Sequence, residues 1–355
     1  MSESIRVLVV DDSPFIRYTI AKHLEADPEI TVVGSAQDGL DALGKIPALN
    51  PDVVTLDVEM PQMDGLTALQ RIMTEHPTPV VMLSSLTQRG ARTTIQALMR
   101  GAVDFVAKPA ASTDIRTVVT ELSAKVKAAA RSRVARVAQA PSTNGHLAGP
   151  AKMAGQTKAG LRPFHNGDPV VVIGTSTGGP RALQQVLTQL PGDLPAAVAV
   201  VQHMPAGFTR SLAQRLNEAS ALTVQEATEG DRLAQGLVLL APGDYHMRFT
   251  HNRQVGLDQG PRRHHVRPAV DIALESAAQQ YGSKVIGVVL TGMGSDGAEG
   301  AGVIKGAGGR IIAEHESSTV VYGMPRSVIE AGHADCIVPL PEVAAAIVEL
   351  INHGR

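Results

Sequence analysis

The stretch Gly-Thr-Ser-Thr-Gly-Gly-Pro at residues 174–180 decides how the larger part of this chain is interpreted. An apolar, β-branched run at 170–173 leads into it, and a stretch with helical spacing at 182–190 leads out of it. β-Branched residues followed by glycines and a helix start predict a strand, a tight turn and a helix. Ser176 stands at the apex of that turn, at the end of the strand where open α/β sheets place their sites.

Three interpretations of the Ser176 turn are open at this point. It could be a generic glycine-rich connection between a strand and a helix. A phosphate-binding loop is less favoured, because neither Gly-Lys-Ser/Thr nor Gly-x-Gly-x-x-Gly occurs here. The spacing also fits Gly-x-Ser-x-Gly, in which a sharp turn exposes a serine nucleophile. A nucleophile needs a base and an orienting acid from elsewhere in the chain, so this interpretation depends on finding them.

The length of 355 residues predicts two domains, with three as the alternative. Hydrophobic residues make up 44% of the chain, whereas aromatic residues make up 3% and tryptophan is absent, so the cores must be aliphatic. A protein that stacks bases of single-stranded nucleic acid on aromatic rings is disfavoured by this composition. The net charge of −2 gives no bias toward polyanions, and we expect no nucleic-acid partner.

The single cysteine, Cys336, cannot form an intramolecular disulfide and fits a reducing cytosol. The N-terminus lacks a basic region followed by an apolar core, so no secretory signal is expected. No apolar run approaches the roughly 20 residues that span a bilayer, and we expect no membrane insertion. These observations together predict a cytoplasmic protein.

The first 127 residues alternate short apolar runs with helical patterns. This alternation predicts an α/β domain with a five-stranded, doubly wound parallel sheet. The predicted strands cover residues 5–10, 31–35, 52–56, 80–83 and 101–107. Apolar residues at helical spacing between 115 and 126 predict a closing helix.

Polar side chains stand at the ends of four of these strands, namely Asp11 and Asp12, Asp57, Ser84 and Lys108. A single acidic residue at such a place is normally a solvated loop carboxylate, but five polar residues on four strand ends are far more specific. Three converging carboxylates repel one another unless a cation balances them, and oxygen-only ligands favour Mg²⁺. The lysine and the hydroxyl suit the oxygens of a phosphoryl group. We therefore expect Asp57 to be the phosphoryl acceptor.

Residues 5 to about 125 resemble a bacterial response-regulator receiver domain in these residues and in the spacing from Asp57 to Lys108. The resemblance extends to Phe105, which occupies the aromatic switch position, and makes Ser84, Phe105 and Lys108 the switch residues. It implies that Mg²⁺ is held by the carboxylates of Asp11, Asp12 and Asp57 and by a backbone carbonyl, here that of Glu59. It also implies that the phosphoryl group comes from a histidine kinase.

The composition of residues 128–167, which are rich in Ala, Gly, Pro, Ser and Thr, predicts a flexible linker. Eight Lys/Arg and no acidic residue fall between Leu122 and Gly167. A solvated tether is the favoured interpretation, and a docking strip for an acidic surface or nucleic acid is the alternative. Nothing nearby resembles a helix-turn-helix or a basic zipper.

The pattern of apolar runs and helical stretches in residues 168–355 predicts a second doubly wound, Rossmann-like parallel sheet. Loose alternation at 245–257 predicts an antiparallel hairpin beside it. His203 follows the apolar strand that comes after the serine turn, and Asp296 lies in the glycine-rich segment after the strand predicted at 284–290. Neighbouring parallel strands end at one edge of a sheet, so these side chains could meet Ser176 there.

Ser176, His203 and Asp296 are together the residue types of a nucleophile, a base and an orienting acid. Each alone would more often be structural, and the shared sheet edge is what favours catalysis. Glycines around them let a substrate approach the backbone, and we nominate the amides of Met293 and Thr177 as an oxyanion hole.

Rival residues exist for two of the three roles. His264 and His265 compete as the base, although no strand precedes them. Asp244 competes as the acid. The order Ser, His, Asp along the chain also differs from the Ser, Asp, His order of α/β-hydrolases, so the Gly-x-Ser-x-Gly match alone would mislead.

Residues 169–351 closely resemble the catalytic domain of the chemotaxis protein-glutamate methylesterases, the CheB family. The stretches that carry the resemblance are residues 174–180, 202–205, 240–244 and 290–298. It implies hydrolysis of glutamate γ-methyl esters on chemoreceptors with release of methanol, without a cofactor in this reaction, and deamidation of receptor glutamines. It makes Ser176 the nucleophile, His203 the base and then the acid, and Asp296 the orienting residue.

In that family the unphosphorylated receiver covers the esterase site, and phosphorylation of Asp57 would release it. We expect a monomer. Two other classes of function stay open: a response regulator whose second domain only binds receptor or DNA, and a nucleotide-binding α/β domain. The latter is disfavoured because the fingerprint glycines and their acidic partner are missing.

Overall fold

The computed structural model describes residues 4–108, 115–132, 158 and 160–353. Contacts between residues divide the chain into two compact units, Met1–Ser142 and Thr143–Arg355. Each unit has its own sheet and its own core, and each is described by itself. In the described ranges, no helix combines the length and the hydropathy that a bilayer-spanning segment needs.

The N-terminal unit is the predicted five-stranded parallel sheet, with strand order β2-β1-β3-β4-β5. Its strands are β1 (Ile5–Val10), β2 (Ile30–Ala36), β3 (Val53–Asp57), β4 (Val80–Ser84) and β5 (Asp104–Ala107). Its helices are α1 (Pro14–Leu24), α2 (Gly39–Leu49), α3 (Gly65–Glu75), α4 (Gln88–Met99) and α5 (Ile115–Ala130). Every residue of β3 and β4 is buried, as in a sheet that helices cover on both faces.

Four helices of this unit begin at a side chain that accepts a backbone N–H of the first turn. The capping residues are Ser13, Asp38, Asp64 and Thr87. Such caps satisfy amides that have no partner inside the helix, and they fix where each helix starts. The helix starts therefore come from local sequence.

The C-terminal unit contains a seven-stranded sheet in the order β16-β15-β14-β7-β8-β11-β9, in which every neighbouring pair is parallel. Its strands are β7 (Val170–Thr175), β8 (Ala197–Gln202), β9 (Thr223–Glu226), β11 (Leu237–Leu240), β14 (Val285–Val289), β15 (Arg310–Glu314) and β16 (Cys336–Val338). Two antiparallel pairs stand apart, β6 (Arg162–Pro163) with β10 (Ala234–Gln235) and β12 (His246–Phe249) with β13 (Val255–Asp258). The second pair is the predicted hairpin.

The helices of the C-terminal unit are α6 (Gly179–Gln189), α7 (Phe208–Ala219), α8 (Val270–Tyr281), α9 (Ala298–Gly306), α10 (Met324–Glu330) and α11 (Leu340–His353). Strand order reverses at β7: the chain first adds β8, β11 and β9 on one side, and then β14, β15 and β16 on the other. Open α/β sheets bind their ligands beyond the carboxyl ends of the strands at such a switch point. The serine turn lies there, directly after β7.

The structure differs from the sequence predictions mainly in short elements. Helix α9 was not predicted, because its sequence is rich in glycine, which disfavours helices. At the predicted linker, α5 runs on to Ala130 and Phe164 is buried in the C-terminal core, so ordered elements enter the range 128–167 from both sides. Most of that range lies outside the described residues, and its nature stays a prediction.

Substitution of Gly65 by Ala should destabilise the N-terminal unit. A Cβ at Gly65 would lie 1.9 Å from the carbonyl oxygen of Asp57, a backbone atom that cannot turn away. We expect a loss of about 2 kcal/mol or more in the free energy of unfolding, as for overpacked cores. Urea unfolding followed by circular dichroism would measure it.

Gly44→Ala is the matched control, because a Cβ at this exposed helical position meets nothing within 4 Å. Alanine there should stabilise the unit by about 0.5–1 kcal/mol through helix propensity. A Gly65→Ala protein as stable as wild type would contradict the packing described for the start of α3.

Candidate active site

Three predicted residues lie at the carboxyl edge of the large sheet. Ser176 follows β7, His203 follows β8, and Asp296 lies in the segment that follows β14. The register pairs Thr175 with Gln202, so Ser176 and His203 are the next residues on adjacent parallel strands, which are about 5 Å apart. The sheet thus brings the predicted nucleophile and base to neighbouring positions.

The serine turn is fixed by backbone hydrogen bonds on both sides. The Ser176 N–H donates to the Thr291 carbonyl at 3.0 Å, and the Gly179 N–H donates to the Ser176 carbonyl at 2.9 Å. Gly178 has φ of 79°, a conformation that side chains disfavour. Ser176 stays half-buried at the N-terminus of α6, where the unpaired amides of a helix favour negative charge.

His203 is oriented by one backbone bond and one side-chain bond. Its N–H donates to the Thr175 carbonyl at 3.1 Å, and its ring Nε2 lies 2.7 Å from Oδ2 of Asp296. The side chain is 10% exposed. Within the described ranges no hydrogen bond joins the Ser176 hydroxyl to the ring, and Nδ1 is the nitrogen left available.

Of the three residues, Asp296 has the most hydrogen bonds to its side chain. Its carboxylate is 2% exposed and accepts the N–H groups of Val270 at 2.7 Å and Asp271 at 2.8 Å, the first amides of α8. Burial raises the pKa of Asp296, but the His203 hydrogen bond and the two helix amides outweigh it and hold the pKa below its usual range. The group is therefore an anion pointed at His203.

Asp271 makes the reciprocal contacts. Its Oδ1 accepts the N–H of Gly297 at 2.9 Å and of Gly300 at 2.7 Å, at the start of α9. Asp296 thus caps α8 while Asp271, the second residue of α8, caps α9. Burial raises the pKa of Asp271, and the nearby charge of Asp296 raises it further. Asp271 was not predicted from the sequence, because its role depends on a distant loop.

The rival residues are placed elsewhere. His264 Nε2 contacts Oδ2 of Asp271 at 2.8 Å and lies 3.9 Å from Oδ1 of Asp296, whereas His203 contacts Oδ2 of Asp296. His265 is exposed. Asp244 is paired with Arg267 at 2.7 Å and with Arg262 at 3.1 Å. None of these contacts places a rival beside Ser176.

The loop that follows β14 packs directly behind the serine. A Cβ at Gly292 would lie 2.8 Å from the Cβ of Ser176, so only glycine fits there. The next residue, Met293, is 46% exposed, and within the described part of the chain its N–H has no hydrogen-bond acceptor. The Met293 N–H is thus available to donate to an oxyanion, as predicted. The oxyanion role of the Thr177 N–H stays a prediction.

Gln202, the neighbour of His203 in the sequence, was not predicted as a site residue, but it holds the two strand ends together. Its Nε2 donates to the Ser176 carbonyl at 2.9 Å and to the His203 carbonyl at 3.1 Å. Its position as the last residue of β8 was visible in the sequence, but its bridging contact was not.

The second predicted site lies at the carboxyl edge of the N-terminal sheet. Carboxylate oxygens of Asp11, Asp12 and Asp57 all lie within 4.8 Å of one another. Lys108 Nζ contacts Oδ2 of Asp11 and Oδ2 of Asp57, both at 2.7 Å. Burial raises the pKa of Asp57 to about 6 against the opposing effect of Lys108, and the Asp11 charge adds to the rise.

Three carboxylates against one ammonium leave an excess of negative charge at this edge. An all-oxygen set of this kind fits a hard divalent cation such as Mg²⁺. The backbone N–H of Glu59 acts in the opposite direction to burial and lowers the pKa of Asp57. The use of the Glu59 carbonyl as a metal ligand stays a prediction.

The predicted switch residues surround this edge. Ser84 is buried, and its hydroxyl accepts a hydrogen bond from Thr94 Oγ1 at 2.6 Å. Phe105 is 2% exposed, with Lys125 Nζ 5.3 Å from the ring centroid. The structure therefore brings Ser84 and Lys108 to the ends of β4 and β5 beside Asp57, and it places the Phe105 ring inside.

Family models match both units. The model described as CheB methylesterase matches residues 171–347, and the response regulator receiver domain model matches residues 7–120. Nearly the whole chain is similar to proteins named protein-glutamate methylesterase/protein-glutamine glutaminase. One from Symbiobacterium thermophilum is 53% identical, over 99% of this chain and 98% of that protein. One from Thermotoga maritima is 44% identical, over 98% of both.

A solved structure matches the C-terminal unit. The crystal structure of the Thermotoga maritima CheB methylesterase catalytic domain is 49% identical, with a TM-score of 0.51. The match covers 52% of the present chain and 98% of the crystallised Thermotoga maritima domain.

Replacing Asp271 by Ala should destabilise the C-terminal unit, because the N–H groups of Gly297 and Gly300 lose their acceptor in a buried place. Each unsatisfied buried amide costs about 1–3 kcal/mol, so the two together should cost about 2–6 kcal/mol of the free energy of unfolding. Asp271→Asn keeps an acceptor oxygen and should lose clearly less. Equal losses in urea unfolding for both variants would contradict the capping role.

Proposed function

Because the chain belongs to the CheB methylesterase family, as the sequence resemblance predicted, we propose that it demethylates chemoreceptors. It hydrolyses the γ-methyl esters of receptor glutamates and releases methanol, and it converts receptor glutamines to glutamate with release of ammonia. The observation that carries this proposal is the meeting of Ser176, His203 and Asp296 at the switch point of the large sheet. The glutaminase activity is supported by the names of the relatives, which pair both activities.

The hydroxyl of Ser176 is the nucleophile in this mechanism, and Nδ1 of His203 takes its proton. Nδ1 is assigned because Nε2 is bound to Asp296. Asp296 stays ionised, fixes the tautomer and stabilises the imidazolium. Hydrogen bonds of this kind can be loose in a free enzyme and tighten when the substrate binds, which accommodates the missing bond between Ser176 and His203.

Attack of the Ser176 oxygen on the ester carbonyl forms a tetrahedral intermediate whose oxygen carries the negative charge. The N–H of Met293 is proposed as one donor to that oxygen, with the N–H of Thr177 as the other. The methoxy group leaves as methanol with the proton from His203. Water, deprotonated by His203, then hydrolyses the glutamyl ester of Ser176 and restores the enzyme.

The receiver unit is proposed to control this reaction. Asp57 accepts a phosphoryl group from a histidine kinase, and Mg²⁺, held by Asp11, Asp12 and Asp57, would balance the charge of the phosphoryl oxygens. Lys108 and Ser84 would bond to the same oxygens. The change would be passed on through Phe105, which lies under the Lys125 ammonium. A cytoplasmic location follows from a kinase as phosphoryl donor.

Ser176→Ala should lower methanol release from methylated receptor membranes about a thousandfold or more, because the nucleophile is lost. Ser283→Ala is the matched control: this exposed serine precedes β14, at the opposite edge of the same sheet. The control should keep wild-type rates. Substantial methanol release by a folded Ser176→Ala protein would favour a different nucleophile or a second domain that only binds.

Asp57→Asn should abolish the rise in esterase activity that a small phosphodonor produces in the presence of Mg²⁺, because the acceptor oxygen is gone. Asp52→Asn is the control, since the exposed Asp52 precedes the same strand at its other end and its carboxylate accepts the Arg6 N–H. Methanol release with and without phosphodonor is the measurement. Stimulation that persists in Asp57→Asn would overturn the assignment of the acceptor.

A further inference from the structure

Thr291, the residue behind the serine turn, connects that turn to the segment at 320–321. Its carbonyl accepts the Ser176 N–H at 3.0 Å and the Thr175 hydroxyl at 2.9 Å. Its hydroxyl donates to the Thr177 carbonyl at 3.0 Å and accepts the Val321 N–H at 3.0 Å. Gly292 and Met293 follow it directly, so a shift of Thr291 would move both the nucleophile turn and the Met293 amide.

Glu314 provides the side-chain anchor of Thr291. It is the last residue of β15, which pairs with β14, and its Oε2 accepts the Thr291 N–H at 2.8 Å. Its Oε1 accepts the Ser318 hydroxyl at 2.9 Å, and the Ser318 oxygen in turn accepts the Leu340 N–H at 2.8 Å. The carboxyl group is therefore bonded on both oxygens.

Glu314 is completely buried, with 0% exposure. The groups that face its carboxyl are the Thr291 amide and the Ser318 hydroxyl, and within the described ranges no basic side chain lies at salt-bridge distance. The adjacent His315 directs Nδ1 to Ser317. Burial raises the pKa of Glu314 to about 7, against the opposing effect of its two hydrogen bonds.

A buried carboxyl without a cationic partner destabilises a fold once it ionises, so a glutamate at this place is unusual. An apolar residue at 314 would leave the buried Thr291 N–H without an acceptor. That N–H belongs to the residue on which Ser176 and the Met293 loop both depend.

We propose that Glu314 is a positioning residue of the esterase: its carboxyl fixes Thr291, and Thr291 fixes the Ser176 turn and the Met293 amide. It touches no substrate, and the inference rests on the proposed function. Loss of Glu314 should therefore weaken transition-state stabilisation more than substrate binding.

The experiment compares Glu314→Ala, Glu314→Gln and the exposed control Glu342→Gln in the full chain, with methylated receptor membranes as substrate. Glu314→Ala should lower kcat about tenfold or more with KM within about twofold, as expected for a lost buried hydrogen bond. Glu314→Gln keeps an oxygen for the Thr291 N–H and should restore kcat to within about threefold of wild type. The control should match wild type.

Thermal unfolding at pH 5 and pH 8 tests the buried carboxyl itself. A carboxyl whose pKa rises on folding binds more protons in the folded state, so stability falls as pH rises from about 4.5 to about 7 and then levels off. The unfolding midpoint of Glu314→Gln relative to wild type should therefore be higher at pH 8 than at pH 5. An unchanged difference would show that Glu314 does not titrate in this range.

Wild-type kcat in a folded Glu314→Ala protein, or equal damage in the Ala and Gln variants, would overturn the inference. If Glu314→Ala does not fold, Ser318→Ala decides: it frees Oε1 and should lower kcat about threefold at unchanged KM, and an unchanged kcat would overturn the proposal. Ser176→Ala in the same assay separates the two claims. Activity that survives there removes the proposed function, whereas activity lost there but kept in Glu314→Ala removes only the role of Glu314.

Discussion

The parallel pairing of β14, β7 and β8 is the constraint on which the candidate active site depends. Because the three strands run side by side in the same direction, the segments after Thr175, Gln202 and Val289 all emerge at one edge. Strands are added on one side of β7 first and on its other side afterwards. The crossover connections therefore diverge at β7 and leave a crevice at that edge of the sheet. Without this pairing, the serine, histidine and aspartate would belong to separate surfaces of the protein.

Three buried carboxyl groups in the C-terminal unit show how hydrogen-bond partners and nearby charges set the pKa of an acid. Asp296 has a histidine and two helix amides, and its pKa lies below the usual range. Asp271 also has two amides and a histidine, but burial, together with the nearby charge of Asp296, raises its pKa. Glu314 has one amide and one hydroxyl, too few to offset burial, and its pKa rises to about 7. The proposed orienting acid is thus the one whose surroundings keep it ionised.

The two units use the same architecture for different chemistry. In each, polar residues at the carboxyl edge of a parallel sheet replace the apolar residues of the strands, and helix caps fix the loops between them. The N-terminal edge gathers carboxylates around Lys108, an arrangement for a cation and a phosphoryl group. The C-terminal edge gathers a hydroxyl, an imidazole and one carboxylate, an arrangement for acyl transfer.

The sequence by itself predicted the five-stranded sheet and the strand ends that carry Ser176, His203 and Asp57, because runs of apolar residues act over a few positions. Only the tertiary structure decided that Asp296, 93 residues away, and not Asp244 contacts His203. It alone revealed the reciprocal caps of Asp271 and Asp296 and the anchor at Glu314. These contacts depend on the register between distant strands and on how two helix ends meet, and no local pattern encodes either of them.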